Sequence, residues 1–171
     1  VQVAEEAKAL GFHALGVTGG EPFLRPWLVD TLVEMAARLP VLVLSNGTLF
    51  KGKRLAAMAP LAAADVTIQL SLDQLDPSAN DDLRAVGNHR AVVKAISALL
   101  ALGIRVRVAS TIEHLDDGHD SEFMEFIRDL GVAENGVGRT KGDALAEIQN
   151  QRFVTDLADQ GDIVINDQRL G

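Results

Sequence analysis

The sequence predicts an α/β fold built on parallel strands with helices packed outside them. Three observations carry that prediction. Short apolar runs alternate along the chain with segments whose apolar residues recur every three to four positions. Glycines close the helical segments, where a helix needs a residue that turns left-handed. The 171 residues, 47% of them hydrophobic and 4% aromatic, suffice for one core made mostly of Leu, Val, Ile and Ala.

The opening stretch VQVAEEAKALGF begins without Met and reads as the interior of a helix. HALGVTG (13–19) is a buried strand candidate, and Leu24, Leu28, Leu32, Met35 and Leu39 then recur at helical spacing. VLVLSNG (41–47) is the clearest strand, and Lys51 to Ala59 form a short helix after it. VTIQLSLD (66–73) is the next strand. After a polar loop, Val92, Val93, Ile96, Leu99 and Leu100 form one helix face stopped by Gly103. IRVRVAST (104–111) alternates apolar and basic residues, so one side of that strand is wetter. Phe123, Phe126, Ile127 and Leu130 mark a further helix, closed by Gly131. Beyond it the pattern weakens to a short strand near Val137, a helix capped by Asp143 and running to about Ala158, and a last strand at 162–166. No linker divides the chain, so residues 1–171 read as one domain.

Such regular strand–helix units imply a parallel sheet with right-handed crossovers. Periodicity leaves open a doubly wound sheet and part of a (β/α) barrel. In both, ligands sit at the carboxyl ends of the strands. That rim would carry Gly19–Glu21, Ser45–Gly47 and Ser71–Asp73.

Charge and composition exclude some classes. A net charge of −8 argues against a nucleic-acid partner, which needs clustered Lys and Arg. No apolar run is long enough to span a bilayer, so no membrane partner is expected. The acidic N-terminal stretch has no secretory pattern, and the expected location is the cytoplasm. There is no cysteine, hence no disulfide and no thiolate for a metal or cluster.

In TGGEP (18–22), Gly19 and Gly20 let the backbone approach a ligand and leave carbonyls free, while Glu21 offers a carboxylate at the strand end. A carboxylate beside bare carbonyls is an acceptor cluster suited to an ammonium group. The same residues also read as a tight turn in which Glu21 favours a helix N-terminus. Ser45 and Asn46 end a strand at an ordinary Asn-Gly turn, or form a polar lip for a ligand. Ser71 and Asp73 alternate, so they share a face and can grip a ribose diol or an amino-acid head; a plain strand end explains them as well. His114, Asp116, Asp117, His119 and Asp120 read as a solvated acidic loop rather than a metal site, because their spacing fits no common ligand pattern. No metal-binding residue is assigned.

In order and spacing, these motifs resemble the radical S-adenosylmethionine (SAM) superfamily. GVTGGEPFLRP, VLVLSNGTLF and IQLSLD resemble the segments after its second strand and at its third and fourth strands. DDLRAVGNHRAVVKAISALLALGIRVRVASTI resembles the helix and strand that follow, and GVGRTKGDA the sixth-strand region. The resemblance implies a partial (β/α) barrel with parallel strands and outer helices. It implies that Gly19, Gly20 and Glu21 bind the methionyl ammonium of SAM. Ser71 would contact the ribose or the methionyl carboxylate, with Asp73 nearby and Arg84 a partner for that carboxylate. Ser45 and Asn46 would line the cofactor or substrate side, and Gly138 and Arg139 would border the adenine.

The family cleaves SAM at a four-iron, four-sulfur cluster on a three-cysteine loop, giving a radical that abstracts hydrogen from substrate. The chain departs from that pattern by having no cysteine. It therefore reads as a fragment of a radical SAM oxidoreductase, cut after the cluster loop, not binding the cluster and inactive alone. An incomplete barrel would expose the edge of the HALGVTG strand, so self-association through that edge is expected. The substrate is a small molecule or a peptide. SLDQLDP resembles GTP-cyclising members, while a fifth strand ending in ASTI favours peptide-modifying or activating relatives. The alternative is a cluster-free α/β module that binds a small amino-bearing metabolite or a partner protein.

Overall fold

The computed structural model describes residues 1–112, 117–133, 137–141 and 163–166. Helix α1 (Gln2–Ala9) leads into strand β1 (Leu15–Thr18), a 3-10 turn at Pro22–Leu24 and α2 (Leu28–Ala36). Strand β2 (Val41–Ser45) is followed by α3 (Gly52–Ala57) and a 3-10 stretch at Ala59–Ala63. Strand β3 (Val66–Ser71), α4 (Pro77–Leu83), α5 (Asn88–Ala101), β4 (Arg105–Ile112) and α6 (Asp117–Asp129) come next, then β5 (Val137–Lys141) and β6 (Ile163–Asn166). All neighbouring strands are parallel, in the order β5-β4-β3-β2-β1-β6.

The register decides between the two architectures left open by the sequence. Leu15–Val41–Val66, Val43–Ile68–Val106 and Ser45–Leu70–Val108 form rows on one face. Those residues are buried, apart from strand ends, in one core with Leu28, Leu32 and Met35 of α2 and Val92, Ala95, Ile96 and Leu99 of α5. The other face carries Leu42–Thr67–Arg105, Leu44–Gln69–Arg107 and then Ser71–Ala109. Leu42 and Leu44 lie outside the core cluster and are half-buried. A doubly wound sheet would need apolar rows under helices on both faces. Here one face is apolar and helix-covered and the other polar and half-open, as in a partial barrel with its helices outside.

Three local expectations change. The helix expected across Leu24–Leu39 is shorter, because Pro26 forces Arg25 into extended backbone (ψ 117°) and leaves Leu24 exposed in the 3-10 turn. Leu39 stays buried but lies past the helix end. The polar loop after Asp73 contains a helix, α4, started by Asp76 as N-cap and Pro77 at its first position. The edge of β1 is not exposed: β6 pairs along it from Leu15↔Ile163 to Thr18↔Asn166. Its free N–H and C=O groups are satisfied within the chain, which corrects the expectation of self-association through that edge. The expected helix from Asp143 to Ala158 lies outside the described residues. Among the described residues no helix is long and apolar enough to cross a membrane.

Two carboxylates brace this region, Asp76 at the start of α4 and Asp81 at the corner between α4 and α5. Asp76 accepts from the Ser78 hydroxyl at 2.5 Å and the Ala79 N–H at 2.8 Å. Asp81 accepts from the Gly87 N–H at 2.5 Å and the His89 N–H at 2.9 Å. The Ser78 hydroxyl, then the Ala79 N–H, holds Asp76 below the ordinary carboxylate range; the N–H groups of His89 and Gly87 do so for Asp81. A depressed folded-state value contributes stability above about pH 4 that is lost as pH falls through the folded value. The urea midpoint should therefore drop as pH falls below about 4, and drop less steeply in Asp81→Asn. Parallel pH profiles for wild type and variant would refute the brace.

Candidate functional site

At the carboxyl end of β1 the chain turns through Gly19, whose φ of 152° favours glycine. A Cβ placed on Gly20 would meet no described atom within 4 Å, so the space before it is open. The carbonyls of Gly19 and Gly20 accept no backbone hydrogen bond among the described residues. Glu21 follows and folds across to the tip of β2. Its Oε1 accepts from the Phe23 N–H at 3.1 Å. The Ser45 hydroxyl donates to both carboxylate oxygens, at 2.9 and 3.0 Å, and the Asn46 N–H donates to Oε2 at 2.9 Å. A carboxylate has about four acceptor directions. Three hydrogens in four contacts, two at each oxygen, fix its aim, and a ligand hydrogen fits when the Ser45 hydroxyl settles on one oxygen. The tight-turn reading of TGGEP holds: Glu21 caps the 3-10 turn, and it does so from the rim.

Ser45 and Asn46 are both tied into the rim by hydrogen bonds. Ser45 is buried, and its hydroxyl is spent on Glu21 while accepting from the Gly47 N–H at 3.2 Å. The Asn46 side-chain oxygen closes a turn onto Thr48, at 3.0 Å to its N–H and 2.7 Å to its hydroxyl. The backbone at Gly47 favours glycine, because its φ is +74°, in the left-handed region.

At the tip of β3, Ser71 is half-buried on the open face, opposite Ala109 of β4. Asp73 is 6% exposed, and its Oδ2 accepts from Arg84 Nε at 2.5 Å. The structure thus joins two expected ligand contacts to each other. Asp73 positions the Arg84 guanidinium, whose other N–H groups can still reach a carboxylate. The sequence reading missed Asn80, which is fully buried. Its Oδ1 accepts from the N–H groups of Asp73 (3.0 Å) and Gln74 (3.4 Å). The one available signal was a weak helix former in the interior of α4.

One row below the rim on the same face stand Gln69 and Arg107, paired in register. Gln69 is 6% exposed, and Arg107 Nε is buried without a hydrogen-bond partner among the described residues. In the next row down Arg105 is paired with Asp65. A depression of about 280 Å³ near Asp65 and Arg105 lies at the amino ends of the strands, away from the rim. Gly138 and Arg139 lie on β5, in register with Ala109 and Ser110. His114 and Asp116 lie outside the described residues. Among the described residues no group of three metal-ligating side chains is gathered.

Comparisons with known proteins agree with this geometry. Residues 1–130 match the family model described as the radical SAM superfamily. Over 132 residues the chain is 34% identical to the GTP 3′,8-cyclase of Synechococcus elongatus, covering 73% of this chain and 39% of that protein. It is 36% identical over 133 residues to the GTP 3′,8-cyclase of Pseudomonas entomophila, covering 74% and 38%. The chain thus spans about two fifths of these curated relatives. Streptococcus suis SuiB bound to its precursor peptide SuiA superposes with a TM-score of 0.67 at 18% identity, over 96% of this chain and 40% of that one. SuiB bound to S-adenosylmethionine gives 0.65 at 19% identity, over 97% and 42%. With the family match covering most of its length, and a half-open parallel sheet whose rim bears the Gly-Gly-Glu segment, the chain belongs to the radical SAM superfamily.

Proposed function

We propose that this chain is the SAM-binding core of a radical SAM enzyme. One observation carries the reading: at the tip of β1 a fixed carboxylate, Glu21, adjoins the carbonyls of Gly19 and Gly20, which accept no backbone hydrogen bond among the described residues, and no described atom lies within 4 Å of a Cβ placed on Gly20. Such a cluster accepts and does not donate, so it complements an ammonium. Ser71 would meet the ribose or the methionyl carboxylate, and Arg84, aimed by Asp73, would bind that carboxylate. Ser45 and the Asn46 N–H would orient Glu21. Beside its cluster, SAM supplies the hydrogen-abstracting chemistry in this family; the protein binds and orients it.

The cluster does not fit the residues of this chain. Its irons need thiolates, and the 171 residues contain no cysteine. The whole enzyme's activity is therefore proposed for a parent in which those ligands come from outside these residues. A reducing cytoplasm, where thiols persist, belongs to the same reading, and fractionating the source cells checks it.

The substrate we favour is a small molecule bearing a phosphate or carboxylate. Arg107 lies on the open face with Nε unpaired, and a guanidinium matches such oxyanions in two-pronged fashion. The relatives at 34–36% identity are named for a nucleotide substrate, whereas likeness to the peptide-bound SuiB, at 18% identity, speaks for fold alone. The missing cysteines favour a second reading, a cluster-free module for an amino-bearing metabolite. Methionine binding as tightly as SAM would favour that reading.

Three titrations test the assignment. Calorimetry should show SAM binding that weakens about tenfold or more in Glu21→Gln, the loss of one charge-assisted contact of about 1.4 kcal/mol or more. No binding, or equal binding by both proteins, refutes the ammonium role. Gly20→Val should keep its melting temperature within about 2 °C, since its Cβ meets nothing, yet lose SAM affinity by a factor of about ten. An unchanged affinity there would mean that no ligand approaches that backbone. GTP should bind the chain and bind about tenfold more weakly to Arg107→Leu; a GTP isotherm indifferent to that change removes Arg107 from the substrate site.

A further inference from the structure

The last ladder bond between β3 and β4 in the rim region runs from the Leu72 N–H to the Ala109 carbonyl, at 2.9 Å. The next N–H, that of Asp73, faces the other side by strand alternation. There β2 has already ended, because Ser45 pairs with Leu70. The main chain at Asp73 is buried and lies past the last register pair of β3 with β2, at the position where the rim must hold its shape. Side chains take over. Asn80 of α4 accepts from the Asp73 and Gln74 N–H groups, and the Ser110 hydroxyl, 3.3 Å away, donates to the Asp73 carbonyl. The Asn80 amide is itself oriented: its Nδ2 donates to Asn88 Oδ1 at 3.2 Å, which leaves its oxygen facing the strand. Asn80 is 0% exposed and Asn88 9%, so no water competes readily for these bonds.

We propose that the Asn80–Asn88 pair is a positioning device for the ligand-binding rim. Asn80 holds the Asp73 backbone, Asp73 holds Arg84, and the pair thereby sets the distance between the Ser71 hydroxyl and the Arg84 guanidinium before any ligand arrives. The inference rests on the SAM-binding reading and adds to it that half of the binding shell is preorganised from α4 and α5. Neither asparagine touches the ligand.

The test compares SAM titrations of the full chain at a temperature well below every variant's melting point. Asn80→Leu keeps the volume and removes the acceptor; it should bind SAM about tenfold more weakly. Asn88→Leu leaves Asn80 in place but unfixes its amide, and should lose about threefold. Leu99→Ala, a truncation of the buried α5 face, serves as the stability control and should leave SAM affinity unchanged while lowering the melting temperature. Amide hydrogen exchange supplies a readout without ligand: the Asp73 and Gln74 amides should exchange at least tenfold faster in both leucine variants, and not in Leu99→Ala. Should Asn80→Leu prove unfolded, Asn88→Leu carries the test by the same two readouts. Affinity losses in the asparagine variants no larger than in Leu99→Ala, or unaltered exchange at Asp73, overturn the proposal while the Glu21→Gln result still stands. Failure of wild type to bind SAM overturns the underlying reading and this proposal with it.

Discussion

Neighbouring parallel strands in register put alternate residues of every strand on opposite faces of one sheet, and the rest of this molecule follows from that constraint. Because Val43, Ile68 and Val106 share a row, so must Leu44, Gln69 and Arg107. The first row is buried under α2 and α5; the second is partly open and bears the polar groups. A register slip of a single residue would turn Gln69 and Arg107 from the polar face into the apolar helix layer, at a cost of about several kcal/mol each, on the order of the whole fold's stability. The burial of Val and Ile on one face is therefore what holds the functional face open.

At the carboxyl ends of the strands the ladder stops, and buried polar groups must find other partners. The molecule solves this at two neighbouring tips with carboxylates and amides from elsewhere in the chain. Glu21 ties the loop after β1 to the end of β2 through Ser45 and Asn46. Asn80, Asn88 and Ser110 tie the end of β3 to the helices and to β4. Hydrogen bonds to a charged group contribute more than neutral ones, about 1.5–3 kcal/mol each, so the Glu21 clasp is also a stabilising element. The groups that shape the rim and those that would bind at it are thus partly the same. That explains how Glu21 can be both a cap and a candidate ligand contact.

The family's chemistry and this chain's composition pull in different directions. The Gly-Gly-Glu rim, the order of the strands and the family match all belong to an enzyme class that works with an iron–sulfur cluster. The thiolates for that cluster are absent from the 171 residues. The part that is present has the geometry of a socket: acceptors at one tip, a buried aspartate holding an exposed arginine at another, and below them a guanidinium nitrogen without a hydrogen-bond partner among the described residues.

Much was legible before the structure. Apolar period and glycine stops marked the four central strands, α5 and α6 within a few residues, because ladder and helix hydrogen bonds impose their period locally. The order of the rim motifs pointed to the family for the same reason, since each motif is a strand end. The helix at 77–83 was hidden, because its one buried side chain is Asn80, which reads as loop. The sequence by itself determined which residues stand at the strand tips and what chemistry they carry. Only the tertiary structure decided that Ser45 serves Glu21, that Arg84 serves Asp73, that Arg107 faces the open side and that β6 covers the edge of β1. Those pairings join residues from 11 to more than 100 positions apart, and their distances depend on register and helix placement, which no local periodicity encodes.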